Sequence, residues 1–351
     1  MSAPPLLPSV RGRVRKAGQA GQAGFSIVEL MVALVLGLLI IGGVISIFIT
    51  NQQSFRTNEN LGRLQENARI SFELMAREVR QAGGNLCGAS LMANVLKNAT
   101  TAWTFNWDSG VLQGFDGAQV ATGIVSTGTA FGERVDGTDA LRVLSGGMFD
   151  GVTIVSHDDA LAQITLNTVS HGFSAGERVV VCDGQSAALT KLTTATSGTS
   201  AVVAHDVGGD PTDNCSRGLG WPTSCTTATG NSRAFQPGGF VNRLTASTWY
   251  VGNNDRGGRS LFRINPATTD EIADGVRDMQ LEYLLRNEAT GVLDTTWVAA
   301  DAITNWSSTA SAQVVAVRLR LTLETQAAVG TNQQPLQRQL IHVVNLRNRP
   351  T

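Results

Sequence analysis

Residues 24–49 read GFSIVELMVALVLGLLIIGGVISIFI, and this stretch decides how the chain is organised. From Phe25 to Ile49 it has 25 residues and a single ionisable side chain, Glu29. About 20 apolar residues in a helix are enough to cross the ~30 Å hydrocarbon core of a bilayer. The run is also longer than the apolar centre of an ordinary secretory signal. The sequence therefore predicts a membrane-spanning helix over residues 25–50.

The segment before this helix, residues 1–24, is a basic leader. It contains no acidic side chain and four cationic ones, Arg11, Arg13, Arg15 and Lys16. Positively charged segments next to a membrane helix stay on the cytoplasmic side. We therefore expect a single-pass protein whose remaining residues lie across the membrane, in an oxidising compartment.

The overall composition excludes two classes of protein. The 351 residues are 42% hydrophobic and 16% charged, with a formal net charge of −1. Nucleic-acid-binding domains carry clustered positive charge, and disordered chains have few apolar residues, so neither class fits. We expect no nucleic-acid partner. The length is sufficient for one large domain or two modest ones, with a well-buried core.

Beyond the apolar stretch, residues 51–83 carry the pattern of an amphipathic helix. Apolar side chains recur every three or four residues, at Leu61, Leu64, Ala68, Phe72, Met75, Val79 and Ala82. This spacing places them on one helix face, and Gly83-Gly84 supplies a stop signal. We predict that this helix docks on the head of its own chain.

Residues 84–351 predict a β-rich head. The clearest strand is 315–324, where apolar residues occupy the odd positions, and 279–284 repeats the alternation. Weaker strands are predicted at 140–144, 151–155, 161–166, 177–182, 200–204, 247–251, 260–264 and 338–346. Residues 184–235, rich in Thr, Ser, Ala and Gly, are expected to form an irregular insertion. The predicted fold class is α+β, a long N-terminal helix packed on a mainly antiparallel head.

The head contains four cysteines, Cys87, Cys182, Cys215 and Cys225. No C-x-x-C occurs and no His lies at zinc-finger spacing, so we expect no metal site. In an exported head, disulfides are the default. Sequence leaves three pairings open. We favour Cys215–Cys225, which closes a short loop, together with Cys87–Cys182, which would tie the helix end to the sheet.

The head shows no catalytic motif, and we expect neither an enzyme nor a cofactor. It has no nucleophile elbow, P-loop or dinucleotide fingerprint. Its histidines are scattered, at His157, His171, His205 and His342. Oxygen ligands for Ca²⁺ are available on Asp206, Asp210, Asp213 and Asn214. Their spacing lacks the alternate-residue pattern of a known calcium loop, which favours an ordinary solvated loop.

The junction Gly24-Phe25-Ser26-Ile27-Val28-Glu29-Leu30 resembles the processing site of type IV prepilins, with a basic leader before it and an uncharged stretch after it. In that family a dedicated peptidase cuts after the glycine and methylates the new N-terminal Phe. The resemblance implies cleavage between Gly24 and Phe25, N-methylation of Phe25 and a role for Glu29 in assembly register. A carboxylate among apolar residues is costly unless it is paired. The new α-amino group of Phe25, in the same or a neighbouring subunit, would supply the counter-charge.

The rest of the chain is similar to the PilW family of minor pilins. The segments that carry this resemblance are 61–69, 78–83, 274–283, 315–319 and 344–348. It implies a low-abundance pilin that helps prime type IV pilus assembly at the inner membrane, with its head in the periplasm. Such a pilin then enters the pilus on the cell surface, at or near the tip. The implied partners are the prepilin peptidase, the inner membrane, the major pilin and other minor pilins through the N-terminal helix, and a tip adhesin. The implied processes are twitching motility and cell adhesion.

Two other classes of function remain as alternatives. A minor pseudopilin of type II secretion, of the GspJ kind, would share the N-terminal junction, although those heads are smaller. A membrane-tethered binding module or enzyme would share the anchor and never polymerise. Replacement of Gly24 or Glu29 separates this last class from the filament subunits, because only the filament subunits depend on processing and register.

Overall fold

The computed structural model describes residues 24–88, 92–147, 150–329 and 334–348. The chain divides into two compact units, one up to Phe55 and one from Arg56 onward. The predicted leader lies outside the described residues, with the exception of Gly24.

One α-helix, α1, extends from Ile27 to Gln81 and contributes to both units. Its part in the first unit is built mainly from Leu, Ile, Val and Gly, and its apolar side chains are exposed. Its part in the second unit is amphipathic, with a buried face that consists of Leu64, Ala68, Ser71, Met75, Ala76 and Val79. The stripe predicted from the sequence therefore supplies most of the buried face of the helix.

The helix ends where the paired glycines are placed in the sequence. Gly83 adopts a φ of +69°, the left-handed conformation that favours glycine after a helix. Its N–H donates to the carbonyl of Leu144 at 2.9 Å, and the N–H of Gly84 donates to the carbonyl of Gln81 at 2.8 Å. These bonds turn the chain out of the helix and join its end to the head.

The second unit contains fifteen strands among the described residues. Their bounds are β1 Met92–Asn94, β2 Leu112–Phe115, β3 Ala140–Ser145, β4 Ile154–Asp158, β5 Gln163–Leu166, β6 Arg178–Cys182, β7 Ala187–Lys191, β8 Val202–Ala204, β9 Phe240–Arg243, β10 Thr245–Asn253, β11 Arg259–Ile264, β12 Thr269–Asp274, β13 Val276–Asn287, β14 Ala312–Glu324 and β15 Gln337–Asn345. A short 3₁₀ helix occupies Ala300–Ala302.

These strands form four sheets, with strand orders β1-β7-β6-β9, β12-β11-β10-β3-β2, β13-β14-β15 and β4-β5-β8. Every pairing between named strands is antiparallel except that of β1 with β7. The predicted α+β class, with a long N-terminal helix and a mainly antiparallel head, is confirmed.

Two large apolar cores hold the second unit together. The first joins the buried face of α1 to the sheets β12-β11-β10-β3-β2 and β13-β14-β15, with Trp249, Tyr283 and Leu319 fully buried. The second lies between the sheets β1-β7-β6-β9 and β4-β5-β8. The helix is therefore part of the first core, as the amphipathic pattern predicts.

The segment 184–235 differs in part from the irregular insertion expected from its composition. It contributes β7 to one sheet and β8 to another. Ala187–Leu189 in β7 are fully buried, and a strand buried on both faces has no polar alternation to reveal it. From residue 205 to residue 235 no named strand or helix occurs.

Candidate functional site

The junction quoted from the sequence forms the start of α1. Gly24, Phe25 and Ser26 precede the first helical residue, Ile27. The Ser26 hydroxyl oxygen accepts a hydrogen bond from the Glu29 N–H at 3.1 Å, which caps the helix. Glu29 thus lies in the first helical turn, where a negative charge is favourable to the helix dipole.

The helix that follows this junction presents a continuous apolar surface. Phe25 is 84% exposed and Phe48 is 68% exposed, and the large apolar side chains between them are exposed as well. In the part of the chain that the structure describes, α1 is the one helix whose length and composition would let it cross a membrane. Leaving this much apolar surface in water is costly, at ~25 cal/mol per Å². The segment therefore requires a membrane or other apolar helices around it.

Farther along α1, the carboxylate of Glu78 anchors the helix to the sheet β12-β11-β10-β3-β2 of the head. Its Oε2 accepts hydrogen bonds from the Ser247 hydroxyl at 2.5 Å and from the Trp249 indole N–H at 2.6 Å. Its Oε1 is 3.2 Å from Nη1 of Arg263. One helical carboxylate thus bonds two neighbouring strands, β10 and β11, and we call these four residues the Glu78 anchor.

Further contacts hold the same stretch of helix at other points. The Asn67 side-chain amide donates to the carbonyl of Asp274 at 2.8 Å. The ring of Phe72 packs against that of His342 in β15, with 5.6 Å between centroids. Residues 56–81 are therefore fixed to the head by specific polar contacts as well as by apolar packing.

Comparison with known proteins bears on both ends of the chain. Residues 19–45 match the prokaryotic N-terminal methylation motif. Residues 248–346 match the family model of type IV pilus-assembly protein W. Over these two regions the chain is similar to PilW-family type IV pilins. No curated protein and no solved structure matches the chain.

The second matched region contains part of the sheet surface against which α1 packs. It begins within β10 and ends one residue beyond β15, so it includes Trp249 and Arg263 of the Glu78 anchor. PilW pilins are structural components of the pilus.

Two disulfides are present among the described residues, and they join the pairs favoured from the sequence. Cys87, six residues after the end of α1, is bonded to Cys182 at the end of β6, with 5.9 Å between Cα atoms. Cys215 is bonded to Cys225 across a separation of 10 residues. Disulfides of this kind typically stabilise a fold by ~2–4 kcal/mol.

The structure brings together two histidines that the sequence shows only as scattered residues. His157 Nε2 lies 2.9 Å from His205 Nε2. The Phe235 N–H donates to His157 Nδ1 at 3.0 Å, so the proton of this neutral ring is on Nε2 and is donated to His205. Protonation of His205 would place a hydrogen on its Nε2 as well, so that two N–H donors would point at each other and the hydrogen bond would be lost. Burial and the neighbouring His157 lower the pKa of His205 to about 3.

This histidine pair predicts a loss of stability in acid. A folded-state pKa below the unfolded value of about 6.5 means that unfolding takes up a proton, so stability falls as the pH drops below about 6.5. This coupling of protonation to unfolding lowers the free energy of unfolding by about 2 kcal/mol between pH 7 and pH 5. Denaturant unfolding of the full chain in detergent, followed at both pH values, measures it.

The control for this prediction is His205→Phe, because other groups also titrate. Burial raises the pKa of Asp139 to about 7, so the stability contributed by that residue is greatest in acid and is lost as the pH rises through about 7. The two dependences have opposite signs and overlap. The decisive quantity is the difference in pH dependence between wild type and His205→Phe. Identical pH dependences would contradict the assigned role of the pair.

The oxygen-rich residues considered for Ca²⁺ bind their own chain. Asp213 pairs with Lys191 at 2.5 Å and also accepts the Asp210 N–H at 2.8 Å. The Asn214 side-chain amide donates to the carbonyls of Lys191, His205 and Asp206. Over the described ranges no group of three or more His, Cys, Asp or Glu side chains could hold a metal ion. These contacts make the segment 206–214 a structural loop.

Proposed function

We propose that this pilin is a minor pilin that helps prime type IV pilus assembly at the inner membrane and is then incorporated in the pilus, at or near the tip. The supporting observation is the exposed apolar helix from Ile27 onward, directly behind a methylation motif. A membrane buries such a helix before assembly. A bundle of similar helices, contributed by the major pilin and other minor pilins, buries it again in a filament.

The first step of the proposal is processing at the junction. The prepilin peptidase cuts between Gly24 and Phe25 and methylates the new α-amino group of Phe25. The leader remains in the cytoplasm because it is basic, and the head enters the periplasm. The two disulfides of the head agree with that compartment, since the periplasm is oxidising.

The second step concerns Glu29, whose carboxylate follows the new N-terminus by four residues. In an apolar environment an unpaired charge costs several kcal/mol, so each Glu29 requires a cation. The α-amino group of Phe25 in a neighbouring subunit supplies it. Wrong axial positions leave both charges unpaired and are penalised, and this sets the register of assembly.

The match to type IV pilus-assembly protein W favours a pilus over a type II secretion pseudopilin. The matches include part of the sheet region on which residues 56–81 dock, and not only the N-terminal signature that both systems share. In the pilus, the head would lie beside other minor pilins and a tip adhesin. Twitching motility and adhesion would then depend on it.

The experiment that tests this function is Glu29→Gln in the native cell. Glutamine keeps the size of the side chain and removes its charge. We expect processing to continue, while incorporation into filaments and the number of surface pili fall at least about tenfold. The variant leaves the α-amino group of Phe25 unpaired, and a free-energy cost of ~1.4 kcal/mol changes an equilibrium by a factor of ten. Electron microscopy of pili and immunoblots of sheared filaments measure the effect.

The matched control is Glu59→Gln on the same helix. Glu59 pairs with Arg63 at 2.9 Å on an exposed surface, outside the apolar segment. Surface pairs of this kind contribute little, so piliation should stay at the wild-type level. Normal pili in the Glu29→Gln strain would disprove the proposed role of Glu29.

A further inference from the structure

The free edge of β15 is unlike the other sheet edges among the described residues. Strands at the edges of sheets expose unpaired backbone groups, and natural proteins protect them by short length, charge, bulges or cover. β15 has nine residues that pair with β14 in one continuous register, Gln337 opposite Glu324 through Asn345 opposite Ala316. It has no bulge and no proline, and Arg338 is its one permanently charged residue.

Each of the other seven edges is protected. The edge strands β1, β2, β8 and β9 have three or four residues each. β4 has a register shift, and β12 has both a register shift and three acidic residues, Asp270, Glu271 and Asp274. The outer edge of β13 is covered, since the Tyr283 and Val298 backbones exchange hydrogen bonds of 2.8 and 3.0 Å. β15 is therefore the one long, regular and uncovered edge within the described ranges.

The outward-facing backbone groups of β15 follow from its pairing. The Leu346 N–H donates to the carbonyl of Val315, and the carbonyl of Leu336 accepts from the Thr325 N–H, both at 2.9 Å. The backbone N–H and C=O groups of the even-numbered residues thus bond to β14. Those of the odd-numbered residues point away from the sheet. Ile341 and Val343 belong to the outward set, and their side chains are 56% and 48% exposed.

The surface around this edge is basic. Residues 315–324 and 335–348 contain one acidic residue, Glu324, and four arginines, Arg318, Arg320, Arg338 and Arg347. Glu324 pairs with Arg277 of β13 at 2.8 Å. One carboxylate from the next strand, Glu282, serves both Arg318 and Arg320, at 3.0 and 3.3 Å. The neighbourhood of the edge therefore keeps a positive excess.

We propose that β15 binds an extended segment of a different protein, which adds as a further strand and carries acidic residues among alternating apolar ones. The unpaired backbone groups would form hydrogen bonds with an added strand, and Ile341 and Val343 would contact apolar side chains on it. The arginine excess favours acidic residues in the partner. A second copy of β15 lacks acidic residues and would add its own arginines, so it complements this edge poorly. The surface is independent of the priming role proposed above.

The test uses the full chain in detergent micelles and two synthetic eight-residue peptides, one of alternating valine and glutamate and one of alternating valine and lysine. Hydrogen exchange is followed residue by residue. We expect the glutamate peptide to slow exchange of the outward amides of Gln339, Ile341 and Val343, and to bind at least about tenfold more tightly than the lysine peptide. Absence of slowing at these amides, or equal affinity for both peptides, would overturn the proposal.

A pair of variants at one position shows whether the backbone is the binding group. Ile341→Pro removes an outward N–H that β14 does not use, a position where an edge strand accepts proline. Ile341→Thr also shortens the side chain but keeps the N–H. We expect the proline variant to lose binding and the threonine variant to retain it. Circular dichroism confirms that both fold. Equal binding by both variants, or slowed exchange that grows with protein concentration without peptide, would contradict a strand from another protein.

Discussion

Gly24→Arg is expected to leave the chain uncleaved and absent from filaments. The substitution places a bulky cation at the residue that precedes the proposed scissile bond. A Cβ built on Gly24 has no other atom within 4 Å, so the folded chain itself has room for the change. Mass spectrometry of the membrane-extracted protein should find the whole leader still attached. The wild-type chain should begin at Phe25 and carry one additional methyl group, and the variant cells should have lost their pili.

Gly62→Arg provides the matched control for this experiment. It is the same substitution within α1, at an exposed glycine that also has open space around it. It lies in the second unit, away from the junction, so cleavage should be unaffected. If Gly24→Arg is cleaved as efficiently as Gly62→Arg, the prepilin assignment of the junction is wrong.

Glu78→Ala is expected to destabilise the head by about 3 kcal/mol, since it leaves Arg263 and the Trp249 indole without their carboxylate. The Glu78 and Arg263 side chains are only 18% and 27% exposed, so water replaces the lost partner poorly. For the unit from Arg56 onward the change corresponds to a fall in Tm of about 5 °C. Thermal unfolding of the full chain in detergent, followed by near-UV circular dichroism, measures it.

Two further variants serve as comparisons for Glu78→Ala. Glu73→Ala removes an exposed carboxylate, one turn earlier on α1, that pairs with Arg69, and it should cost only a few tenths of a kcal/mol. Glu78→Gln retains an acceptor for the Trp249 N–H and loses the charge opposite Arg263, so its effect should be intermediate. If Glu78→Ala and Glu73→Ala have equal effects, the carboxylate does not anchor the helix.

The helix and the half-buried strands were predictable because their patterns are local. α1 ends at the paired glycines, and β14 and β13 follow the alternation of apolar and polar residues. The strands missed from sequence were β1, β2, β7, β9 and β12. Four of these have three to five residues, too short for a period to appear, and β12 has acidic residues along an edge.

The contacts of Glu78 and of the histidine pair were not predictable, because they join residues far apart in the sequence. Glu78 meets partners 169 to 185 residues away, and His157 meets His205 across 48 residues. Glu78 lies in a segment that resembles the PilW family, but a single sequence contains no signal for its partners. The junction is different, since Gly24, Phe25 and Glu29 form a contiguous motif, and their roles in processing and register remain predictions.

The bond between Cys87 and Cys182 has a mechanical consequence. Cys87 follows α1 by six residues, and Cys182 ends a strand in the sheet β1-β7-β6-β9, 95 residues along the chain. Force applied to residues 56–81 is therefore transmitted to that sheet through a covalent bond. The strands between the two cysteines are bypassed by this force and do not unfold one after another. Once this disulfide is reduced, the force needed to unfold the head would be set by its weakest noncovalent contact.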